Sequence, residues 1–156
     1  MLIISRSSGC EAILEDGSII DLNNPGEEIR HKILTAQISI NSTDDLEIIN
    51  NPQYLEILAN PNCNLFIGAV DQKIIKKIML KFERIGGNAD FKYLAPAKGL
   101  ETLVSVGGNA YFGNLASAEG LEALVSIGGG ANFSRLTSAE GLEALVSIGG
   151  NAYFGT

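Results

Sequence analysis

The second half of the chain repeats one pattern of apolar and polar residues every 21 positions. Its copies read IGGNADFKYLAPAKGLETLVS (85–105), VGGNAYFGNLASAEGLEALVS (106–126), IGGGANFSRLTSAEGLEALVS (127–147) and IGGNAYFGT (148–156). The stretch SAEGLEALVSIGG occurs twice without a change, at 117–129 and 138–150. A fixed period of this length is typical of a solenoid, in which each unit buries its apolar face against its neighbours. We therefore predict that residues 85–156 form a solenoid of 21-residue repeats.

The first half of each repeat alternates between apolar and polar residues, which predicts a short β-strand. In the second copy, Ala110 and Phe112 fall on one face and Tyr111 falls on the other. The residues predicted to point inward in the four copies are Ala89, Phe91, Ala110, Phe112, Ala131, Phe133, Ala152 and Phe154.

The outward strand positions place polar and aromatic side chains in rows across neighbouring strands. Tyrosine and asparagine on a rigid sheet are typical contact residues. We predict a partner-binding surface formed by Asp90, Lys92, Asn109, Tyr111, Asn132, Ser134, Asn151 and Tyr153. The alternative is that the tyrosines only fill a surface that favours β-structure.

The second half of each repeat carries apolar residues on one side, which predicts a short helix. Ser117 and Ser138 stand where an N-cap is needed, and Glu119 and Glu140 fall in the first helical turn. The apolar positions of one copy are Leu115, Ala118, Leu121 and Leu124.

A pair of glycines precedes every strand of the repeats, and we predict tight turns with positive φ at these pairs. A phosphate-binding loop would need a lysine or a GxGxxG spacing, and the chain has neither here. A calcium-binding nonapeptide repeat is excluded by the period of 21. The pairs lie at 86–87, 107–108, 128–129 and 149–150.

Taken together, the isoleucine-glycine-glycine turn, the short strand and the G-L-x-x-L segment resemble the short bacterial leucine-rich repeats and the related receptor L-domain repeats. The resemblance implies an α/β solenoid, curved and right-handed, with a parallel sheet lining one face, short helices behind it and binding by the sheet face. The chain departs from the pattern with Ala110 and Ala131 at positions where a larger aliphatic residue is usual. The asparagine position of the family holds Asn114, but Tyr93, Arg135 and Thr156 in the other copies.

Residues 1–84 have a mixed pattern, which predicts an N-terminal α+β cap for the solenoid. A strand at 1–5 and a hairpin across 12–20 come first, and further strands are predicted at 37–40 and 64–68. Helical segments are predicted at 26–35, after 42–43, after 51–52 and from Asp71 to about Arg84. We interpret residues 64–84 as a degenerate first coil.

Composition and charge narrow the function classes. The net charge of −7, from eighteen acidic and eleven basic residues, disfavours direct binding to nucleic acid or anionic lipid. No apolar run reaches the ~18 residues of a membrane span, and the first residues do not resemble a secretory signal. We therefore expect a cytoplasmic protein. Cys10 and Cys63 are interpreted as small apolar residues of the core.

The chain offers little catalytic chemistry. His31 is its single histidine, it lies in a charged run on a predicted helix, and no G-x-S-x-G nucleophile motif is present. We predict no catalytic residue, no cofactor and no metal site. An enzyme with a pocket between the cap and the solenoid is the alternative, and such a pocket would contain a carboxylate with a perturbed pKa.

These patterns favour a non-enzymatic protein-binding module that uses the sheet face. The alternative is a small acidic inhibitor, of the type made by phages or mobile elements, that blocks a basic site on a nucleic-acid-processing complex or a toxin. That alternative would use an acidic ridge of residues spaced by 21 positions, which otherwise acts as a solvated face. The ridge comprises Glu119, Glu122, Glu140 and Glu143.

The sequence ends on a strand without a following helix, and we expect that strand to be an exposed edge. Two such edges can pair about a twofold axis, which predicts a homodimer. The alternatives are a fragment of a longer array or a fold-back of residues 148–156. The predicted dimer edge is Asn151, Ala152, Tyr153 and Phe154.

Overall fold

The structure of the protein is a computed structural model, and it describes part of the chain. The described residues are 3–6, 9–13, 19–21, 36–40, 58–59, 61, 63–68, 81–94, 97 and 99–155, the first four ranges by their backbone alone. The helices predicted at 26–35 and after 42–43 lie outside these residues, as do most of those predicted after 51–52 and from Asp71. Leu58, which follows Asn51 and Pro52 by a few residues, is helical.

Apart from the helical residue Leu58, thirteen short strands make up the regular structure of the described residues. Those that precede the repeats are β1 (Ile3–Arg6), β2 (Gly9–Ile13), β3 (Ile19–Asp21), β4 (Ala36–Ile40) and β5 (Cys63–Ile67). Those of the repeats are β6 (Arg84–Ile85), β7 (Ala89–Asp90), β8 (Ser105–Val106), β9 (Ala110–Tyr111), β10 (Ser126–Ile127), β11 (Ala131–Phe133), β12 (Ser147–Ile148) and β13 (Ala152–Phe154).

The repeats wind into a parallel β-solenoid of about four turns, in which each turn gives one strand to each of two sheets. The four-stranded sheet has the order β12-β10-β8-β6, and the six-stranded sheet has the order β13-β11-β9-β7-β5-β4. Neighbouring strands pair at an offset of 21, as Val106 does with Ile127 and Ala110 with Ala131. The predicted solenoid and its period are therefore confirmed, and it contains a second sheet that the repeat pattern did not predict.

The short helices predicted in the repeats are not present in the described residues of 85–155. Residues 113–125 and 134–146 form turns instead, and the leucine N–H groups in them donate to carbonyl groups three residues earlier. Leu121 donates to Ala118 and Leu124 donates to Leu121, both at 2.9 Å. Each such turn brings the chain back to the core after three residues, so the leucines are buried without a helix. The description of the repeats as α/β is corrected accordingly.

The glycine pairs also differ from the prediction, because they do not adopt positive φ. Among the described residues, positive φ occurs at Gly99, Gly120 and Gly141 (94–106°), which lie in the leucine turns. The glycine pairs are needed for space, since a Cβ on Gly128 would meet the carbonyl oxygen of Gly107 in the coil below. Glycine at these corners therefore lets successive coils approach each other closely.

The core is a set of columns, each made of one repeat position. Phe91, Phe112 and Phe133 have no exposed surface, and their ring centroids are 5.3 and 5.0 Å apart. Phe154 extends the column at 5.5 Å from Phe133, but its side chain is 49% exposed, as is much of the last coil. The inward orientation predicted from the alternation is thus confirmed for the three preceding strands.

The N-terminal strands lie where the sequence predicts them. β1, β2 and β3 form an antiparallel sheet with a hairpin between β2 and β3. β4 pairs in parallel with β5, and β5 pairs with β7, so both continue the six-stranded sheet of the solenoid. The helix predicted from Asp71 does not extend to Arg84, because residues 81–83 are irregular and Arg84 begins β6. The division of the chain at residue 84 remains a prediction.

Candidate binding face of the six-stranded sheet

One row of outward side chains crosses the six-stranded sheet at a single register position. Asp90 pairs with Tyr111, Tyr111 with Asn132, and Asn132 with Tyr153. The row therefore alternates between an acid or amide and a tyrosine. Tyr111 and Tyr153 lie two strands apart, a separation of about 10 Å, and their side chains are 42% and 61% exposed.

The short polar side chains of this row are held against their own strands. Oδ1 of Asp90 accepts the N–H of Lys92 at 3.1 Å, and Oδ1 of Asn132 accepts the N–H of Ser134 at 3.0 Å. Aspartate and asparagine commonly make this local bond to the backbone N–H two residues ahead. A tyrosine cannot make it, so the two rings project beyond the asparagine between them.

A groove of about 400 Å³ lies between the two tyrosines. Asn132 stands in the middle of it, and the glycine corners of two coils form much of its wall. The lining residues are Asn109, Tyr111, Gly128, Gly129, Gly130, Ala131, Asn132, Gly149, Gly150, Asn151 and Tyr153. A rigid sheet floor with aromatic sides and amide groups suits the binding of a polar side chain from another molecule.

An asparagine ladder runs beside this groove and stops inside it. Oδ1 of Asn64 accepts the N–H of Asn88, Oδ1 of Asn88 accepts that of Asn109, and Oδ1 of Asn109 accepts that of Gly130, each at 2.7 Å. Gly130 has no side chain, so it cannot bind the N–H of Asn151 in the same way. Asn114, which the family resemblance singled out, does not belong to this ladder. Its Oδ1 accepts a hydrogen bond from Nη1 of Arg135 at 3.3 Å.

A second groove of about 450 Å³ lies on the other side of Tyr111. Lys92 contributes to it, forming an ion pair with Asp90 at 3.3 Å and lying 5.5 Å from the centroid of the Phe66 ring. An exposed ion pair adds little stability, about 0–1 kcal/mol. The ion pair therefore serves mainly to hold the Lys92 ammonium beside the Asp90 carboxylate on this face. The residues lining the groove are Asp90, Lys92, Tyr111, Gly113, Asn114 and Asn132.

The structure thus brings together most of the residues predicted to bind a partner. Seven of the eight line one or both grooves, while Ser134 lines neither. Sequence reasoning missed the glycine wall and, above all, Gly130. The alignment of the repeats could have revealed it, because the position that holds asparagine at 88, 109 and 151 holds glycine at 130.

The acidic residues of the predicted ridge are exposed on the turn side of the coils. Glu122 and Glu143 also have a structural task, because both of their carboxylate oxygens accept the N–H of a positive-φ glycine two residues earlier. These bonds, to Gly120 and Gly141, measure 3.0–3.1 Å. The predicted cap residues Ser117 and Ser138 bind the N–H two residues ahead at 3.2 Å, although no helix follows.

The bond to Gly141 makes stability depend on pH. It lowers the pKa of Glu143 below its ordinary value, with a further contribution from the N–H of Glu143 itself. The carboxylate therefore stabilises the fold fully above its unfolded pKa of about 4.3, and this contribution is lost as pH falls through the lower native pKa. We expect Glu143→Gln to lower the urea midpoint slightly at pH 7 and to match the wild type in acid.

The matched control for this measurement is Glu140→Gln, which alters an exposed acid in the same turn. It should leave the urea midpoint unchanged at both pH values. Equal effects of the two substitutions at pH 7 would show that general charge, and not the bond to Gly141, is responsible.

Cys63 lies in the core with 1% of its surface exposed, and burial raises the pKa of its thiol to about 12. Because the thiolate is the reactive form, the native thiol should be inert. In a Cys10→Ser background, iodoacetamide at pH 8 should alkylate Cys63 at least about a hundredfold faster in denaturant than in buffer. Equal rates would contradict the placement of β5 in the core.

The described residues contain no cluster of three or more His, Cys, Asp or Glu side chains that could hold a metal ion. No helix among them is both long and apolar enough to cross a bilayer.

The predicted dimer edge, residues 151–154, comprises β13 and the residue before it, and β13 pairs with β11 on one side. The homodimer itself remains a prediction.

The fold places the chain in the class of parallel β-solenoids with two sheets per coil. No protein-family model, no curated protein and no solved structure matches the chain.

Proposed function

We propose that the protein is a non-enzymatic binding module that docks another protein on the outward face of its six-stranded sheet. The observation that carries this proposal is the groove between Tyr111 and Tyr153, with Asn132 at its centre. The resemblance of the repeats to leucine-rich repeats supports the same face, since those repeats bind through their parallel sheet.

The physical properties of the face suit recognition. The strands fix the positions of the rings, so little backbone entropy is lost when a partner binds. Tyrosine offers a large contact area with few rotatable bonds, and the asparagine amides add directional hydrogen bonds. The turn side of the solenoid offers exposed carboxylates, two of which already bind glycine N–H groups of their own coils.

Site-specific photo-crosslinking tests this proposal. A photoreactive phenylalanine analogue is placed at 111 or 153 in one pair of proteins and at 119 or 140 in another pair, all produced in the native cell. We expect one partner protein to be crosslinked from 111 and 153 and not from 119 or 140. Crosslinks confined to 119 and 140 would favour the acidic inhibitor and contradict binding by the sheet face.

A further inference from the structure

The strongest unassigned feature of the groove is the missing step in the asparagine ladder. At three successive positions a side-chain amide oxygen binds the backbone N–H of the next coil at 2.7 Å. At the fourth position Gly130 stands where asparagine would supply that oxygen. Among the described residues, nothing accepts a hydrogen bond from the N–H of Asn151.

The position at which the asparagine side chain is missing lies within the groove. Gly130 and Asn151 both line the groove, between the rings of Tyr111 and Tyr153. A Cβ on Gly130 would lie 3.0 Å from the carbonyl oxygen of Asn151 and 3.7 Å from its nitrogen. The first distance is a close contact, so Gly130 lies directly beside the backbone of Asn151, and an acceptor entering the groove at this point comes near its N–H.

The donor at this position determines which chemical group can bind there. In the other coils the acceptor is a neutral carboxamide oxygen, so the same group fits here. A carboxylate could also accept the bond, but the net charge of −7 repels it. Entering between two tyrosines also requires a short, flat group, and the planar amide of a side chain meets that requirement.

We propose that the vacant position at Gly130 is a subsite for the side-chain amide of an asparagine or glutamine of the partner protein, which completes the ladder by binding the N–H of Asn151. This proposal rests on the proposed function, because it assumes a protein partner on the sheet face. It adds which group of the partner enters the groove and which backbone atom recognises it.

The variant Gly130→Asn isolates this subsite, because its own amide would fill the vacancy. Asparagine already occupies the equivalent positions 88 and 109, so the coil can hold it. The added hydrogen bond should offset the close contact of the new Cβ with the carbonyl oxygen of Asn151, so the urea midpoint of unfolding should stay near that of the wild type. Val146→Asn is the control, since it adds the same side chain at a position that is 83% exposed and lines neither groove.

A phage-displayed library of random 12-residue peptides, selected on the full-length protein, is the probe. We expect the selected peptides to share an asparagine or glutamine whose replacement by leucine weakens binding at least about tenfold. The same peptides should lose binding to Gly130→Asn and to Tyr111→Ala/Tyr153→Ala, and retain it on Val146→Asn. N-acetylglucosamine, which carries an amide on a sugar, should compete only weakly.

The outcomes separate the two proposals. Peptides that need Tyr111 and Tyr153 but lack a common amide residue, or that bind Gly130→Asn as well as the wild type, overturn the amide subsite and leave the binding face intact. Peptides that bind the tyrosine double variant unchanged overturn both. Competition by N-acetylglucosamine as strong as that by the peptides would replace the protein amide by a sugar amide and overturn the assignment to a protein side chain.

Discussion

Phe112→Ala is expected to lower the free energy of unfolding by about 3–5 kcal/mol. The ring is fully buried and lies between Phe91 and Phe133, with centroids 5.3 and 5.0 Å away. Its removal leaves a cavity that the hydrogen-bonded coils on either side cannot close, so both the transfer free energy and the packing of two neighbours are lost. Urea denaturation followed by circular dichroism measures the change.

Phe154→Ala provides the matched control for that experiment. It removes the same side chain from the same column, but the ring is about half exposed and contacts Phe133 on one side. We expect its cost to stay below about 2 kcal/mol. If Phe112→Ala cost less than about 1 kcal/mol, as exposed positions do, the inward and outward faces of the strands would be assigned wrongly.

Gly128→Ala should destabilise the solenoid by about 3 kcal/mol or more. The methyl group would collide with the carbonyl oxygen of Gly107, which belongs to the hydrogen-bonded backbone and cannot rotate away as a flexible side chain can. The two coils have to move apart at this corner. That movement lengthens the hydrogen bond from the N–H of Gly128 to the carbonyl oxygen of Val106, which is 2.8 Å long. Thermal and urea unfolding should both shift to lower midpoints.

Gly113→Ala is the control that separates this contact from the general effect of replacing glycine. The nearest atom to its added Cβ is Oδ1 of Asn132 at 4.0 Å, and its φ is not positive. We expect it to be neutral or to stabilise the protein by up to about 1 kcal/mol through the unfolded chain. Similar losses for both variants would contradict close approach as the reason for the glycine corners.

The alternation of Ala110, Tyr111 and Phe112 correctly predicted which side chains enter the core. In a strand this follows from the backbone alone, because successive side chains point to opposite faces. The second sheet escaped prediction because its strands, such as Ser126–Ile127, are two residues long and show no alternation.

The leucine spacing misled for a different reason. Leu115, Ala118, Leu121 and Leu124 are separated by three residues each time, whereas a helical stripe mixes steps of three and four. Strict steps of three instead match turns closed by bonds from residue i to residue i−3, which the structure has at Leu115, Leu121 and Leu124.

The asparagine ladder could be located only after the coil was known. The ladder binds backbone N–H groups that lie between the two sheets, such as that of Asn109, and the sequence does not show which N–H groups the strands leave unpaired. The family resemblance pointed to position 114, five residues further along. The sequence therefore showed Gly130 as a departure from the repeat, but it did not show that this glycine removes a hydrogen-bond acceptor for the N–H of Asn151.

The affinity of the crosslinked partner for two double variants tests the central claim most directly. Tyr111→Ala/Tyr153→Ala removes the sides of the groove, and Glu119→Gln/Glu140→Gln neutralises exposed carboxylates on the turn side. Binding by the sheet face predicts at least about thirtyfold weaker binding for the tyrosine variant and little change for the glutamate variant. Unchanged affinity of the tyrosine variant, together with loss of binding in the glutamate variant, would contradict it.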